Sequence, residues 1–270
     1  MGAGTPRAAC LTSPRPQLGT RALVRSSSAQ QARDYCVHAK AAVALQTEGV
    51  SIVPKPVRNC ARHPELIPVY LRVRREIEAA GPGRMLVPRG EFEPKFAVEH
   101  IDILAAAYRY WDDTQSREAG RRAAQRGWMT PGELVEIGSW KTKNRQRHNL
   151  VLNSEKGVGE VTEFVLAPET GEAERLAKLC TLHGVRAPVA SALLHFVDPG
   201  RWSILDYRIL QSLRVERPDK YTFDFWERFQ DATGAFAADA GVSRRCFDKA
   251  GFMWSRIYGN DRPEKIDDSE

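Results

Sequence analysis

One carboxylate and one cluster of cations hold most of the chemistry this sequence could perform. Asp206 stands in Ile204-Leu205-Asp206-Tyr207-Arg208-Ile209, a few residues after the apolar run Pro188–Val197. Aspartate is a preferred helix N-cap, so the plainest role for Asp206 is to accept a hydrogen bond from the first turn of a helix over Tyr207–Leu213. Its other possible role is catalytic. In a hollow that excludes water, a fixed carboxylate stabilises positive charge developing on a reacting atom beside it. The two roles are compatible, because a cap fixes where the carboxylate points. The cations lie in Ser139-Trp140-Lys141-Thr142-Lys143-Asn144-Arg145-Gln146-Arg147-His148. Lys141, Lys143, Arg145 and Arg147 beside Trp140 suit a nucleic-acid surface, with phosphates on the cations and a base stacked on the indole. The alternative is a solvated loop with Trp140 plugging the core. Lys141 is also a conceivable amine nucleophile, although nothing in its spacing requires it.

Other candidates carry less. His183 and His195 have no partners at ligand spacing, and Asp112-Asp113 reads as a charged helix end rather than a catalytic pair. The five cysteines, at 10, 36, 60, 180 and 246, are scattered and contain no Cys-x-x-Cys. That pattern argues against a disulfide framework, a zinc site or an iron–sulfur cluster, so neither a metal nor a cofactor is expected. A formal charge of +6 favours a polyanionic partner. With 42% hydrophobic and 27% charged residues the composition is that of an ordinary soluble globular chain, and no apolar run is long enough for a membrane span.

The elements that must position these residues are helical. A weakly patterned segment, 50–92, contains one helix from Glu65 or Pro68 to Ala80, closed by Gly81-Pro82-Gly83. In Pro94–Asp113, the residues Phe96, Ile101, Leu104, Ala105, Tyr108 and Trp111 recur on one face of a helix. Thr130, Pro131 and Glu133 form a capping-box start. Further helices are expected at Val158–Ala167, Glu172–Leu182, Pro188–Val197, Tyr207–Leu213, Asp224–Ala240 and Ser243–Tyr258. Sustained period-two alternation is absent, so the fold class is all-α, with the main domain at 93–259. Residues 260–270 read as a disordered tail. Residues 1–49 read as a disordered extension: Arg7, Arg15, Arg21, Arg25 and Arg33 precede the first acidic residue, Asp34, among Ala, Ser and Pro. An organelle transit segment or an early start codon would give the same composition. Without a secretory signal the expected compartment is the cytoplasm, and association with a bacterial nucleoid is compatible with it.

Leu182-His183-Gly184-Val185-Arg186-Ala187-Pro188 joins two apolar-striped helices by a short turn. Backbone N–H groups at Gly184, Val185, Arg186 and Ala187 are expected to point outward at a helix N-terminus, where they suit a phosphate oxygen. With Asp206 downstream, this stretch resembles the helix-hairpin-helix DNA glycosylase superfamily, which includes endonuclease III and 8-oxoguanine glycosylase. Leu182, Gly184 and Val185 match the hairpin, Ala190 its small helix position and Asp206 the family's aspartate. The resemblance implies a helix-hairpin-helix glycosylase-like domain that binds double-stranded DNA through phosphates. It also implies that Asp206 stabilises the departing-base transition state at an extruded nucleotide. Arg186 replaces the hairpin's second glycine and His183 its proline. Pro188 stands where bifunctional members carry a lysine, and the cysteines of the endonuclease III cluster are missing. The implied activity is monofunctional hydrolysis of an N-glycosidic bond. A non-catalytic helix-hairpin-helix DNA-binding or scaffold protein is the alternative.

Overall fold

The computed structural model describes residues 66–108 and 112–259, which belong to one compact unit, Val57–Glu270. The expected extension 1–49, the tail 260–270 and Trp111 lie outside the described residues. Among those described, regular structure is entirely helical: α1 Ile67–Ala80, a 3-10 turn at Val98–His100, α2 Ile101–Ala106, α3 Thr114–Arg126, α4 Pro131–Thr142, α5 Arg147–Leu150, α6 Glu155–Leu166, α7 Glu172–Leu179, α8 Ala187–Val197, α9 Tyr207–Ser212, α10 Phe223–Asp239 and α11 Arg244–Tyr258. No helix among them is long and apolar enough to cross a membrane.

Helix starts follow local chemistry. Thr130 Oγ1 accepts from Glu133 N at 3.3 Å and Glu133 Oε2 accepts from Thr130 N at 2.9 Å, the reciprocal box expected from the sequence. Ser154, Thr222 and Ser243 cap α6, α10 and α11 through their side-chain oxygens. The long helix expected over Pro94–Asp113 is instead a 3-10 turn followed by the six-residue α2. Helix α3 carries no apolar stripe to announce it. Its buried face consists of Ser116, Ala119, Gly120 and Ala123, so the helix is recognisable only by what it packs against.

The arrangement matters for the site because α8 lies at its centre. Nine of its eleven residues are buried, and it packs against α3, α4 and α7. On the other side α11 packs against α2, α9 and α10. Stacked rings of Trp202 and Trp226, and of Phe236 and Phe247, fill the space between these helices. Residues before Glu93 join the same core: Arg256 Nε donates to Tyr70 Oη at 3.2 Å, and Phe92 packs its ring 5.9 Å from Phe225.

Helix α3 approaches α8 closely enough that glycine is required at position 120. A Cβ there would sit 2.1 Å from the Phe196 carbonyl oxygen. Gly120→Ala should therefore force the two helices apart, costing about 1–3 kcal/mol and roughly 2–4 °C of Tm per kcal/mol. Thermal and urea unfolding measure this. A Tm equal to that of wild type would show the contact to be looser than described.

Candidate active site

Asp206 is both a cap and a lining residue of a cleft. Its Oδ1 accepts from Arg208 N at 2.9 Å, fixing the start of α9. Its Oδ2 accepts from Lys141 Nζ at 2.7 Å. The pair is largely desolvated, with side-chain exposures of 7% for Lys141 and 22% for Asp206. Burial alone would push the Asp206 carboxyl upward. The Lys141 charge and hydrogen bond, with the Arg208 N–H, outweigh it and hold the carboxyl below the usual 3.8.

The loop leading to Asp206 is pinned throughout by polar contacts. His195 Nδ1 bonds Trp202 O at 2.7 Å, and Leu205 N donates to Ser191 Oγ at 2.9 Å. Gln230 brackets Ser203, accepting from its N–H at 2.7 Å and donating to its carbonyl at 2.9 Å. Burial drives His195 down to about 4, so the ring is neutral at physiological pH and Nδ1 must carry the donated proton. A carboxylate at the end of such a loop has a fixed position before any ligand arrives.

The cleft is lined by Tyr108, Trp140, Lys141, Lys143, Ile204, Asp206, Arg245, Asp248 and Phe252, and holds about 50 Å³. Its walls are flat rings: Tyr108 and Phe252 meet edge to face at 5.3 Å. Arg245 packs 5.1 Å from the Tyr108 ring and 5.3 Å from that of Trp140. It donates to Asp113 Oδ2 at 2.9 Å and is ion-paired to Asp248. Burial, with Asp206 adding, raises the Asp248 carboxyl despite Arg245 and Lys141, and burial raises the Tyr108 hydroxyl to about 12. Sequence alone does not single out Arg245, Asp248, Tyr108 or Phe252. The available signal was an Arg-x-x-Asp step on the otherwise apolar side of α11. Asp113, read as a helix-end charge, is a buried ligand of Arg245, whereas Asp112 accepts from Thr114 N at 3.0 Å.

The basic segment divides between two jobs. Lys141 and Lys143 line the cleft, whereas Arg145 and Arg147 are exposed on the surface beyond it. Trp140 is half-buried, with its ring edge-on to Phe196 at 4.9 Å, so it is a cleft wall and core plug rather than an open stacking platform. Lys143 and Asn144 follow α4 in the left-handed region at φ 54° and 65°, a strained conformation for residues with a Cβ. Desolvation of its ammonium at the cleft, followed by the nearby Arg256 and Arg208 charges, lowers Lys143 to about 8. Downstream, the same segment reaches the hairpin. Asn153 Oδ1 accepts from His183 N at 2.8 Å and its amide donates to His183 O at 2.9 Å.

Gly184 has the left-handed φ expected of it, 76°, although α7 has already ended at Leu179. A Cβ there would lie 3.0 Å from Asn149 Cβ and 3.1 Å from Leu150 N, so the turn needs glycine for contact with α5. The backbone grip is also narrower than the sequence implies. Val185 N donates inward to Leu182 O at 3.1 Å, and the side chains of Val185 and Ala187 are core, leaving Arg186 as the exposed side chain of the four. Pro188 occupies the second position of α8 rather than the first.

No family model, curated protein or solved structure matches this chain. The described part defines an all-α protein with a charged, aromatic-walled cleft. Among the described residues no three His, Cys, Asp or Glu side chains gather as a metal ion would require.

Two outcomes test this geometry. Asp206→Asn leaves the Lys141 ammonium buried without its anion and should cost about 3 kcal/mol in urea unfolding, most of it restored by adding Lys141→Met. A loss below about 0.5 kcal/mol would mean a solvated, weak pair. Because the folded carboxyl is depressed, the stability that the pair contributes should be complete above the ordinary value of 3.8 and fade as pH falls below it. For Lys143, 13C NMR of labelled lysines should show one ε-carbon titrating near 8. That resonance should vanish in Lys143→Gly, and a set of lysines all titrating above 10 would contradict the assignment.

Proposed function

We propose that the protein is a helix-hairpin-helix DNA glycosylase-like enzyme that binds duplex DNA through its phosphates. It draws one damaged or modified base from the stack and hydrolyses its N-glycosidic bond with Asp206. The observation that carries this reading is the placement of Asp206: a desolvated, fixed carboxylate on the wall of a cleft whose other walls are the rings of Tyr108, Trp140 and Phe252. As the bond to the base breaks, positive charge grows on the sugar C1′, and an anion in low dielectric stabilises it. Water then adds to C1′, one of its protons leaves with the base, and the enzyme is unchanged. Pro188 has no free amine, so the hairpin supplies no Schiff-base nucleophile. This role puts the protein wherever its DNA is, in a bacterial cell the nucleoid.

The alternative, a non-catalytic DNA-binding protein, draws support from the size of the cleft. About 50 Å³ admits a few waters but no nucleobase without movement of a wall, and Lys141 already occupies Oδ2. The segment 141–153, which touches Asp206 at one end and the hairpin at the other, serves either reading.

A panel of lesion-bearing duplexes separates the two. The enzyme reading expects base release from at least one lesion, with an intact abasic product. Asp206→Asn combined with Lys141→Met, the variant expected to remain folded, should lower the rate by at least about 100-fold while binding survives. Salt-dependent duplex binding with no release from any lesion would support the binding protein. No duplex binding at low salt would sink both.

A further inference from the structure

Hydrolysis needs a group to receive the proton that water loses as it attacks, and Asp206 has both of its oxygens engaged already. Its Oδ1 accepts from Arg208 N at 2.9 Å and its Oδ2 from Lys141 Nζ at 2.7 Å. A second carboxylate, Asp248 on α11, lines the same cleft. It is 6% exposed, and only one of its oxygens is engaged. Oδ2 accepts from Arg245 Nη1, whereas Oδ1 has no donor among the described residues. Oδ1 is not sealed from solvent, so a molecule small enough to enter the cleft can reach it. A carboxylate oxygen held so deeply is ordinarily hydrogen-bonded, because leaving it unpaired costs free energy.

Size and chemistry both suit water. The cleft holds about 50 Å³, room for a few waters and little else. A held water needs at least two polar partners. The Lys141 ammonium lines the same space and carries more N–H bonds than its one acceptor, Asp206, uses, so it supplies a donor where Asp248 supplies an acceptor. Asp248 is also fixed in direction. Arg245 grips its Oδ2 and is itself held by Asp113 Oδ2 at 2.9 Å, which leaves Oδ1 facing one way. Burial, with Asp206 adding, raises the Asp248 carboxyl, whereas that of Asp206 is depressed, so Asp248 is the more basic of the two.

We propose that Asp248 holds the water that attacks C1′ and takes its proton, while Asp206 stabilises the developing cation. This division rests on the hydrolytic reading above. As the bond from C1′ to the base breaks, the water oxygen bonds to C1′ and one of its protons passes to Asp248 Oδ1. Asp248 gives that proton up to solvent, from which the departing base nitrogen takes one. A C–O bond and an N–H bond have then replaced a C–N bond and an O–H bond, and the enzyme is unchanged. The ion pair with Lys141 need not open for water to be activated, because the proton acceptor is the other carboxylate.

The test uses Asp248→Asn and Asp248→Ala in the full chain, each first checked for folding by its Tm. Asp113 still pairs Arg245 in both, so neither variant leaves that guanidinium alone. Asparagine keeps the shape but cannot take a proton, and alanine leaves room for formate. On a lesion that wild type processes, Asp248→Asn should slow single-turnover base release by about 100-fold while duplex affinity stays within about 2-fold. Formate should speed Asp248→Ala by roughly 10-fold or more at an unchanged Tm, and chloride at the same ionic strength should not. A carboxylate that only pairs Arg245 would tolerate asparagine and would show no such rescue. Release rates within about 3-fold of wild type in both folded variants would overturn the role of Asp248 and leave the hydrolytic reading standing. No release from any lesion by wild type would overturn that reading, and the role of Asp248 with it. If neither variant folds, a crystal structure of the wild type decides. An ordered water in the cleft donating to Asp248 Oδ1 upholds the assignment, and an Oδ1 bonded only to protein overturns it.

Discussion

A desolvated ion pair between Lys141 and Asp206 is the constraint around which this end of the molecule is organised. The two residues belong to helices α4 and α9, which share little direct packing, so the 2.7 Å contact depends on a third element. Helix α8 is that element. It packs on α4 along one face, and through Ser191 and His195 it fixes the loop that delivers Asp206. A buried pair is costly to assemble from water and costly again to break on one side only. The surrounding polar contacts hold both partners in place, and none of them is free to relax without leaving a buried donor or acceptor unmet.

A second network lies behind the first. Arg245 ties Asp113 to Asp248, and its charge spreads over two of the rings that wall the cleft. On one wall of the cleft Arg245 thus meets two carboxylates, and on another Lys141 meets Asp206. A ligand entering it meets flat rings and two charge pairs that are already satisfied by each other.

What the sequence revealed follows from which signals act locally. Caps are local: Thr130 with Glu133, and Asp206 before Tyr207, could be read from neighbouring residues, and the structure has them. The all-α class was legible for the same reason, since periodicity within one helix needs no partner. Helix α3 was not, because a face of Ser116, Ala119, Gly120 and Ala123 carries no hydrophobic period and is buried only because α4 and α8 lie so near. The site shows the same division. Asp206, Lys141 and Lys143 stood out by type and context. Arg245 and Asp248 on α11, and Tyr108 after α2, acquire meaning only when the chain brings residues more than a hundred positions apart into one wall. Trp140 was correctly noticed as unusual, but whether its ring met solvent or Phe196 was a tertiary question.

The pair also bears on the kind of chemistry the cleft can support. An amine attacks carbon with a lone pair, and the Lys141 ammonium spends a proton on Asp206 Oδ2. In that state it is a donor, not a nucleophile, and its charge tempers the field that Asp206 projects into the cleft. A cation developing on a sugar beside Asp206 would compete with Lys141 for the same carboxylate. Lys141 therefore limits the attraction available to such a cation for as long as the ion pair stands. Under the hydrolytic reading proposed above, the carboxylate must therefore act in the presence of this ion pair, and the amine is not placed to act as a nucleophile while the pair stands.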